Sequence, residues 1–239
     1  MRFARIAAPF VLMAAALLSA CATVAADPTR QTRATEPFTG IGVSAPITVY
    51  LKQGDAYALE LEGEEAVLAQ LETVVENNTL KLRQKTHEHI RGMGKVKAYV
   101  TARDITALAI SGSGDIFSDA LRTGDVKLSI SGSGDIKIKS LAANKVVVAI
   151  SGSGDIVVAG KADSIDGSIA GSGDLRAKDL EVGDAKLSIA GSGDAAVSPR
   201  SNLAVSIVGS GDVTYVGDPA VRQTILGSGS VRRAGPKNL

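Results

Sequence analysis

The chain has 239 residues, 45% hydrophobic and 21% charged, with a formal net charge of +1. That aliphatic content can fill a core and excludes a disordered chain. The near-neutral charge excludes a nucleic-acid partner, because no basic excess is available to neutralise phosphates. Aromatics make up only 3%, with no Trp, while Gly reaches 26, so sites built on stacking against bases or sugars are poorly supplied.

Residues 1–20 read as an export signal. Arg2 and Arg5 open the chain, Ile6 to Leu17 is apolar apart from Pro9, and Leu18-Ser19-Ala20-Cys21 follows. A charged start, a short apolar run and small residues before a cut mark a secretory signal, and the run is too short for an ordinary membrane-spanning helix. Leu-Ser-Ala-Cys resembles the bacterial lipobox. Cys21 is the only cysteine, so it has no disulfide partner within the chain and is expected to be the lipid-modified first residue of the mature protein. Ala22 follows it, not Asp. Resemblance to lipoproteins of Gram-negative bacteria then implies a lipid anchor in the outer membrane, with the head facing the periplasm or the cell exterior. Cleavage would remove Arg2 and Arg5 from 26 basic residues, leaving 24 against 25 acidic ones, a net of −1. Residues 21–35 are mostly small and polar and read as a tether.

From residue 36 to 104 the pattern is strand-like but irregular. Val43, Ile47, Val49 and Leu51 suggest a strand, and Tyr57, Leu59 and Leu61 alternate. Residues 63–75 suit a short helix with Val67, Leu68 and Leu71 on one face. Asn77-Asn78 reads as a turn before Leu80 and Leu82, and 85–94 as a polar loop before Val96, Ala98 and Val100. This segment is expected to supply the first coils and a cap.

Residues 105–232 carry a repeat. Ile110-Ser-Gly-Ser-Gly-Asp-Ile116 recurs unchanged at 130–136 and 150–156, and degenerate copies begin at Ile169, Ile189, Ile207 and Ile225. The seven leading Ile residues are 20, 20, 19, 20, 18 and 18 positions apart. Between copies, β-branched and aliphatic residues alternate with polar ones at period two, the signature of half-buried strands. One lone coil cannot bury its own apolar face, so the period predicts a stacked solenoid. The expected fold is an all-β, single-stranded parallel β-helix, right-handed, with coils of about 20 residues and a less regular β-rich N-terminal part. The Gly-Ser-Gly-Asp segment is either a tight corner or an extended piece with both Gly pointing inward. Arg232, Arg233 and Pro236 read as a terminal cap, closing a domain of residues 36–235.

These residues resemble the head GIN domain family of autotransporter adhesins. The resemblance rests on Phe38-Thr-Gly-Ile-Gly-Val-Ser-Ala-Pro-Ile-Thr-Val-Tyr-Leu-Lys-Gln-Gly-Asp55, on Asn-Asn-Thr-Leu-Lys-Leu at 77–82 and on the Ser-Gly-Ser-Gly-Asp repeats. It implies a β-helix-like fold in an exported bacterial protein and offers no catalytic residues.

The sharpest chemical candidate is the row Asp115, Asp135, Asp155, Asp174, Asp194 and Asp212, one per coil. Stacked carboxylates repel, and either bound calcium or hydrogen bonds from turn amides and Ser hydroxyls would offset that. The amide reading is preferred, because calcium-binding β-rolls use a nine-residue Gly-Gly-x-Gly-x-Asp repeat and Ser230 ends the row. His87 and His89 flank Glu88 without a third ligand nearby. Gly154 to Lys161 misses the phosphate-loop spacing, and no copy of the repeat gives Gly-x-Gly-x-x-Gly. No catalytic residues and no cofactor are expected. The expected function is that of a non-enzymatic cell-envelope lipoprotein, adhesin-like or structural, with a protein or polysaccharide partner. The alternative is a carbohydrate-active enzyme or polysaccharide-binding protein of the envelope.

Overall fold

The computed structural model describes residues 28–85 and 91–235. The signal segment, Cys21, His87, Glu88 and His89 lie outside the described residues.

The chain is all-β, and its strands follow the alternation of the sequence. In order they are β1 (Thr29–Arg33), β2 (Gly40–Val43), β3 (Thr48–Gln53), β4 (Ala58–Gly63), β5 (Leu71–Glu76), β6 (Thr79–Gln84) and β7 (Lys97–Ala102). Next come β8 (Ala107–Gly112), β9 (Asp115–Ser118), β10 (Leu121–Arg122), β11 (Asp125–Gly132), β12 (Ile136–Gly152) and β13 (Ile156–Gly171). The last five are β14 (Leu175–Gly191), β15 (Ala195–Gly209), β16 (Asp212–Tyr215), β17 (Ala220–Gly227) and β18 (Ser230–Arg233).

From β8 onward each coil lies in parallel register on the one before. Ile110 pairs with Ile130, Ile130 with Ile150, Ile150 with Ile169, Ile169 with Ile189, Ile189 with Ile207 and Ile207 with Ile225. Period two sends alternate side chains inward, so these residues up to Ile207, with Leu108, Leu128, Val148, Ile116, Ile136 and Ile156, form aliphatic ladders buried along the axis, and Ile225 on the last coil is partly buried. The solenoid is thus built as expected. The repeat motif combines both conformations weighed for it. The first Gly is a corner: Gly132 has φ +140° and its site is partly open to solvent. The second Gly is buried and faces the core.

The N-terminal half departs from simple chain order. β2 lies between β6 and β8, and β3 lies between β7 and β9, all parallel. The coil of residues 40–53 is therefore sandwiched between two coils made later in the sequence. Beyond it the sheet turns antiparallel: β5 pairs with β6, β4 with β7, and β1 with β4. An antiparallel strand joins through a tight turn, and Asn77 and Asn78, both at positive φ, make that turn between β5 and β6. The helix expected within 63–75 is one turn, α1 (Glu65–Leu68), with Val67 and Leu68 buried over the end of the core. Leu71 leaves it to open β5, because its neighbours Thr73, Val74 and Val75 are β-branched and favour a strand.

Two further expectations change. Residues 29–33, read as tether, are strand β1. Arg33 donates from Nη1 to the Leu71 carbonyl at 2.6 Å and from Nη2 to the Leu68 carbonyl at 2.6 Å, fastening β1 to the cap. Arg232 and Arg233, read as ending the repeat, lie within β18, in register with Thr214 and Tyr215. The last coil covers the column only in part. Gln223 follows Val205, and Arg233 follows Tyr215, so polar side chains replace apolar ones at two rungs, as in terminal repeats, while Val221, in register with Leu203, is left 37% exposed.

Candidate functional site

The outward positions of the early coils build a distinct surface. Val49 and Leu51 point inward, so Tyr50 points out. The same alternation turns Tyr99 out of β7 and Phe117 out of β9. Register then aligns them, since Tyr50 pairs with both Tyr99 and Phe117. Tyr50 stacks on Tyr99 with centroids 5.4 Å apart and planes 17° apart, and on Phe117 at 5.8 Å and 28°. Cations cover the outer faces of this three-ring stack. The Arg30 guanidinium of β1 lies 5.4 Å from the Tyr99 centroid, and the Lys137 ammonium lies 5.5 Å from that of Phe117, each attracted by the negative ring face. The rings stand on the sheet like books on a shelf, with faces covered and edges outward. Tyr50 keeps 40% of its surface exposed.

An ionic cluster holds one end of the stack. Glu62 accepts from Lys97 at 2.9 Å, pairs with Arg30 at 2.9 Å and accepts from the Tyr99 hydroxyl at 3.3 Å. The Lys97 hydrogen bond holds the Glu62 carboxyl below the usual range, and the Glu62 carboxylate raises the Lys97 pKa in return.

Beside the rings runs a groove of ≈ 1520 Å³ that crosses β7, β3, β9, β12 and β13. Its lining carries Lys52, Arg103, Arg122, Lys137 and Lys139 against only Asp55 and Asp119. Gln53 braces one wall: its side-chain amide donates to the carbonyls of Arg103 (2.9 Å) and Arg122 (2.8 Å), and its oxygen accepts from the Arg122 amide (2.8 Å). Lys139 pairs with Asp119 at 2.7 Å, Arg103 donates to the Asp55 carbonyl at 2.8 Å, and Lys137 reaches Asp135 at 3.2 Å. Among the described residues, the side chains of Lys52 and Arg122 have no hydrogen-bond or ion-pair partner.

This groove was not anticipated. Composition suggested that aromatic sites were poorly supplied, yet three of the few rings meet here because coils distant in sequence are adjacent in the stack. The available signal was an aromatic at the outward step of each strand, in Val49-Tyr50-Leu51, Ala98-Tyr99-Val100 and Ile116-Phe117-Ser118.

The aspartate row runs beside the glycine corners along the edge of the same face, meets the groove at the Lys137–Asp135 pair, and is a hydrogen-bond ladder. Oδ1 of Asp115, Asp135, Asp155, Asp174 and Asp194 accepts the backbone N–H of the Asp in the next coil, at 2.9, 3.1, 3.0, 3.0 and 2.8 Å in that order. Asp212 ends the row by accepting both the amide (2.8 Å) and the hydroxyl (2.7 Å) of Ser230. Lys137 on Asp135, and Arg176 on Asp155 (2.9 Å) and Asp174 (3.1 Å), reduce the repulsion between like charges. Among the described residues, no group of three or more His, Cys, Asp or Glu side chains is disposed to hold a metal ion.

The Ser230 hydroxyl and amide hold the Asp212 carboxyl below its usual pKa. A depressed carboxylate contributes stability that is complete above the unfolded value, about 3.9, and is lost as pH falls through the lower folded value. The melting-temperature gap between wild type and Asp212→Asn is therefore expected to be constant above about pH 5 and to shrink below about pH 4. A gap unchanged through the acid range would show that the Asp212 charge does not strengthen the ladder.

A family model described as putative auto-transporter adhesin, head GIN domain, matches residues 37–219. The chain belongs to this head GIN domain family. Several solved structures share the head GIN architecture. One is a putative adhesin from Bacteroides fragilis, with TM-score 0.83 and 21% identity over 87% of this chain and 98% of that one. Another, a putative lipid binding protein from Parabacteroides distasonis, has TM-score 0.69 and 25% identity over 88% and 98%. A putative adhesin from Parabacteroides merdae has TM-score 0.69 and 20% identity over 88% and 98%. No curated protein matches this head GIN sequence. Among its described residues, no helix is long and apolar enough to cross a membrane.

Proposed function

We propose that this head GIN protein is a non-enzymatic lipoprotein of the bacterial cell envelope, held in the outer membrane by acylated Cys21, with an adhesin-like binding role performed by the groove face. The observation that carries the binding role is the groove itself. It is a wide concave surface with an aromatic edge and two cations, Lys52 and Arg122, whose side chains have no partner among the described residues. The family and its solved neighbours carry adhesin or binding descriptions, which agrees with that role. The Leu-Ser-Ala-Cys21 motif supports the anchor, since several acyl chains on one residue bind a membrane stably where one alone does not.

The anchor and the role are tested together in cells. Cys21→Ser is expected to move the protein from the membrane fraction to the soluble fraction, and to remove whatever surface attachment the wild type confers. Retention of Cys21→Ser in the membrane fraction would show that acylation is not the anchor. Unchanged attachment after release would show that the head has no adhesin-like role.

A further inference from the structure

We propose that the groove binds an acidic polysaccharide, one carrying carboxylates along a linear chain, laid parallel to the solenoid axis with Lys52 and Arg122 as its principal contacts. The proposal rests on the reading of the groove as the binding face and names what that face takes.

Size is the first argument. At ≈ 1520 Å³ the groove exceeds the roughly 300–1,000 Å³ typical of small-molecule sites. It crosses five adjacent strands, four interstrand steps of about 4.8 Å, or roughly 19 Å along the axis. An open trough of that length suits several units of a polymer.

Charge is the second. The lining carries five cations and two acids, against the balance close to neutrality of the whole chain. The cations also come from successive layers of the stack. Arg103 follows β7, Lys52 is in β3, Arg122 is in β10 beyond β9, and Lys139 is in β12, with Thr48 in β3 set against both Lys97 of β7 and Asp115 of β9. One coil rise is close to the length of one hexose unit in an extended glycan. A chain with an acid on each sugar would therefore meet a basic side chain at nearly every step. Two of these cations have no partner within the described protein, so a carboxylate gains a charge-assisted hydrogen bond without displacing an internal one.

The rings decide between classes of anion. A nucleic acid in a single-stranded groove is held by base stacking on aromatic faces, but here neighbouring rings, Arg30 and Lys137 cover those faces. What remains is edges and the Tyr50 hydroxyl, which suits hydroxyl-rich polymers recognised by hydrogen bonds and charge. A lipid tail needs enclosed apolar surface, and this trough has a cationic rim open to solvent.

The test uses the purified mature protein with oligogalacturonate, neutral dextran and phosphatidylglycerol vesicles as probes. Oligogalacturonate is expected to bind in a salt-sensitive manner, with dextran inert. Lys52→Gln combined with Arg122→Gln should bind about tenfold more weakly or worse, while Lys186→Gln on another face should bind like wild type. The Lys52 and Arg122 side chains have no partner among the described residues, so the double variant should melt as wild type does. Equal binding by the double variant, equal binding of dextran, or preference for the vesicles would each overturn the proposal. Loss of oligogalacturonate binding by wild type, with cell attachment intact, would refute the ligand and leave the adhesin-like role standing. Release of new reducing ends would make the groove an enzyme site and overturn both.

Discussion

Gly134→Ala is expected to abolish the cooperative fold at growth temperature. A Cβ at this position would lie 1.8 Å from the Gly114 carbonyl oxygen and 2.9 Å from its carbon. Both are backbone atoms, flanked by the Gly112 carbonyl, which accepts from the Ser133 and Gly134 amides, and by the Asp115 amide, which donates to the Ile47 carbonyl, so neither can rotate aside. The same geometry recurs above it, where a Cβ on Gly154 would meet the Gly134 oxygen at 2.1 Å. Relief requires that whole coils separate, and the coil carrying Gly134 is bonded to the coil before it and the coil after it. Overpacking in a rigid core costs about 1–3 kcal/mol, occasionally more, and here the obstacle is backbone, so about 4 kcal/mol or more is expected. Gly124→Ala is the control. Its nearest contact would be the Asn144 side chain at an ordinary 3.8 Å, and its effect should fall within about 0.5 kcal/mol of zero. Thermal unfolding followed by circular dichroism separates the two. A Gly134→Ala protein melting within a few degrees of wild type would show that the backbone here yields far more than the close approach implies.

Leu187→Ala carries the second large effect. The ladder Leu108, Leu128, Val148, Gly167, Leu187, Val205 has one missing side chain, at Gly167. Leu187 fills part of that gap: a Cβ at Gly167 would meet the Leu187 Cδ2 at 2.9 Å and the Leu175 Cδ2 at 3.2 Å. Truncating Leu187, itself 2% exposed, leaves two neighbouring rungs of this ladder with no more than one methyl group between them. The cost should sit high in the range of about 2–5 kcal/mol for buried Leu to Ala. A second substitution sharpens the test. Gly167→Ala alone should destabilise, because its methyl meets Leu187. In the Leu187→Ala background the closest of these contacts is gone, and the nearest one left to the methyl is the Leu175 Cδ2 at 3.2 Å. The double variant should therefore be more stable than the sum of the single changes predicts, by about 1 kcal/mol or more. Additive costs would mean that Leu187 does not occupy the gap.

The column was legible because its cause is local and repeated. Alternation from Ile136 to Ile150 shows which side chains face inward, and the spacing of the Ile-Ser-Gly-Ser-Gly-Asp copies shows which of them stack. The turn at Asn77-Asn78 was equally plain. The insertion of the 40–53 coil between later coils was not, because nothing in Thr48-Val-Tyr-Leu-Lys-Gln distinguishes β7 from β4 as its neighbour. Pairing across such separations is decided by how well whole layers fit. The groove inherits that difficulty, since its rings come from strands whose spatial order differs from their chain order. Strand β1 was hidden for another reason. Thr29-Arg-Gln-Thr-Arg33 lies at the sheet edge with most side chains exposed, so it carries no apolar alternation. Its place is set by backbone bonds to β4, by Arg30 on Glu60 and Glu62 and by Arg33 on the cap carbonyls.

That edge strand also sets the reach of the head. A link from residue 22 to 35 could extend at most about 50 Å, but with β1 fastened to the sheet only residues 22–28 remain, a limit of about 25 Å. An acylated Cys21 would then hold the closed end of the column, and the groove that Arg30 borders, near the lipid surface. The open last coil would point outward. A ligand would have to come within a few nanometres of the bilayer to be bound, and lengthening the chain between Cys21 and Thr29 would raise the height at which capture occurs without changing a single contact in the groove.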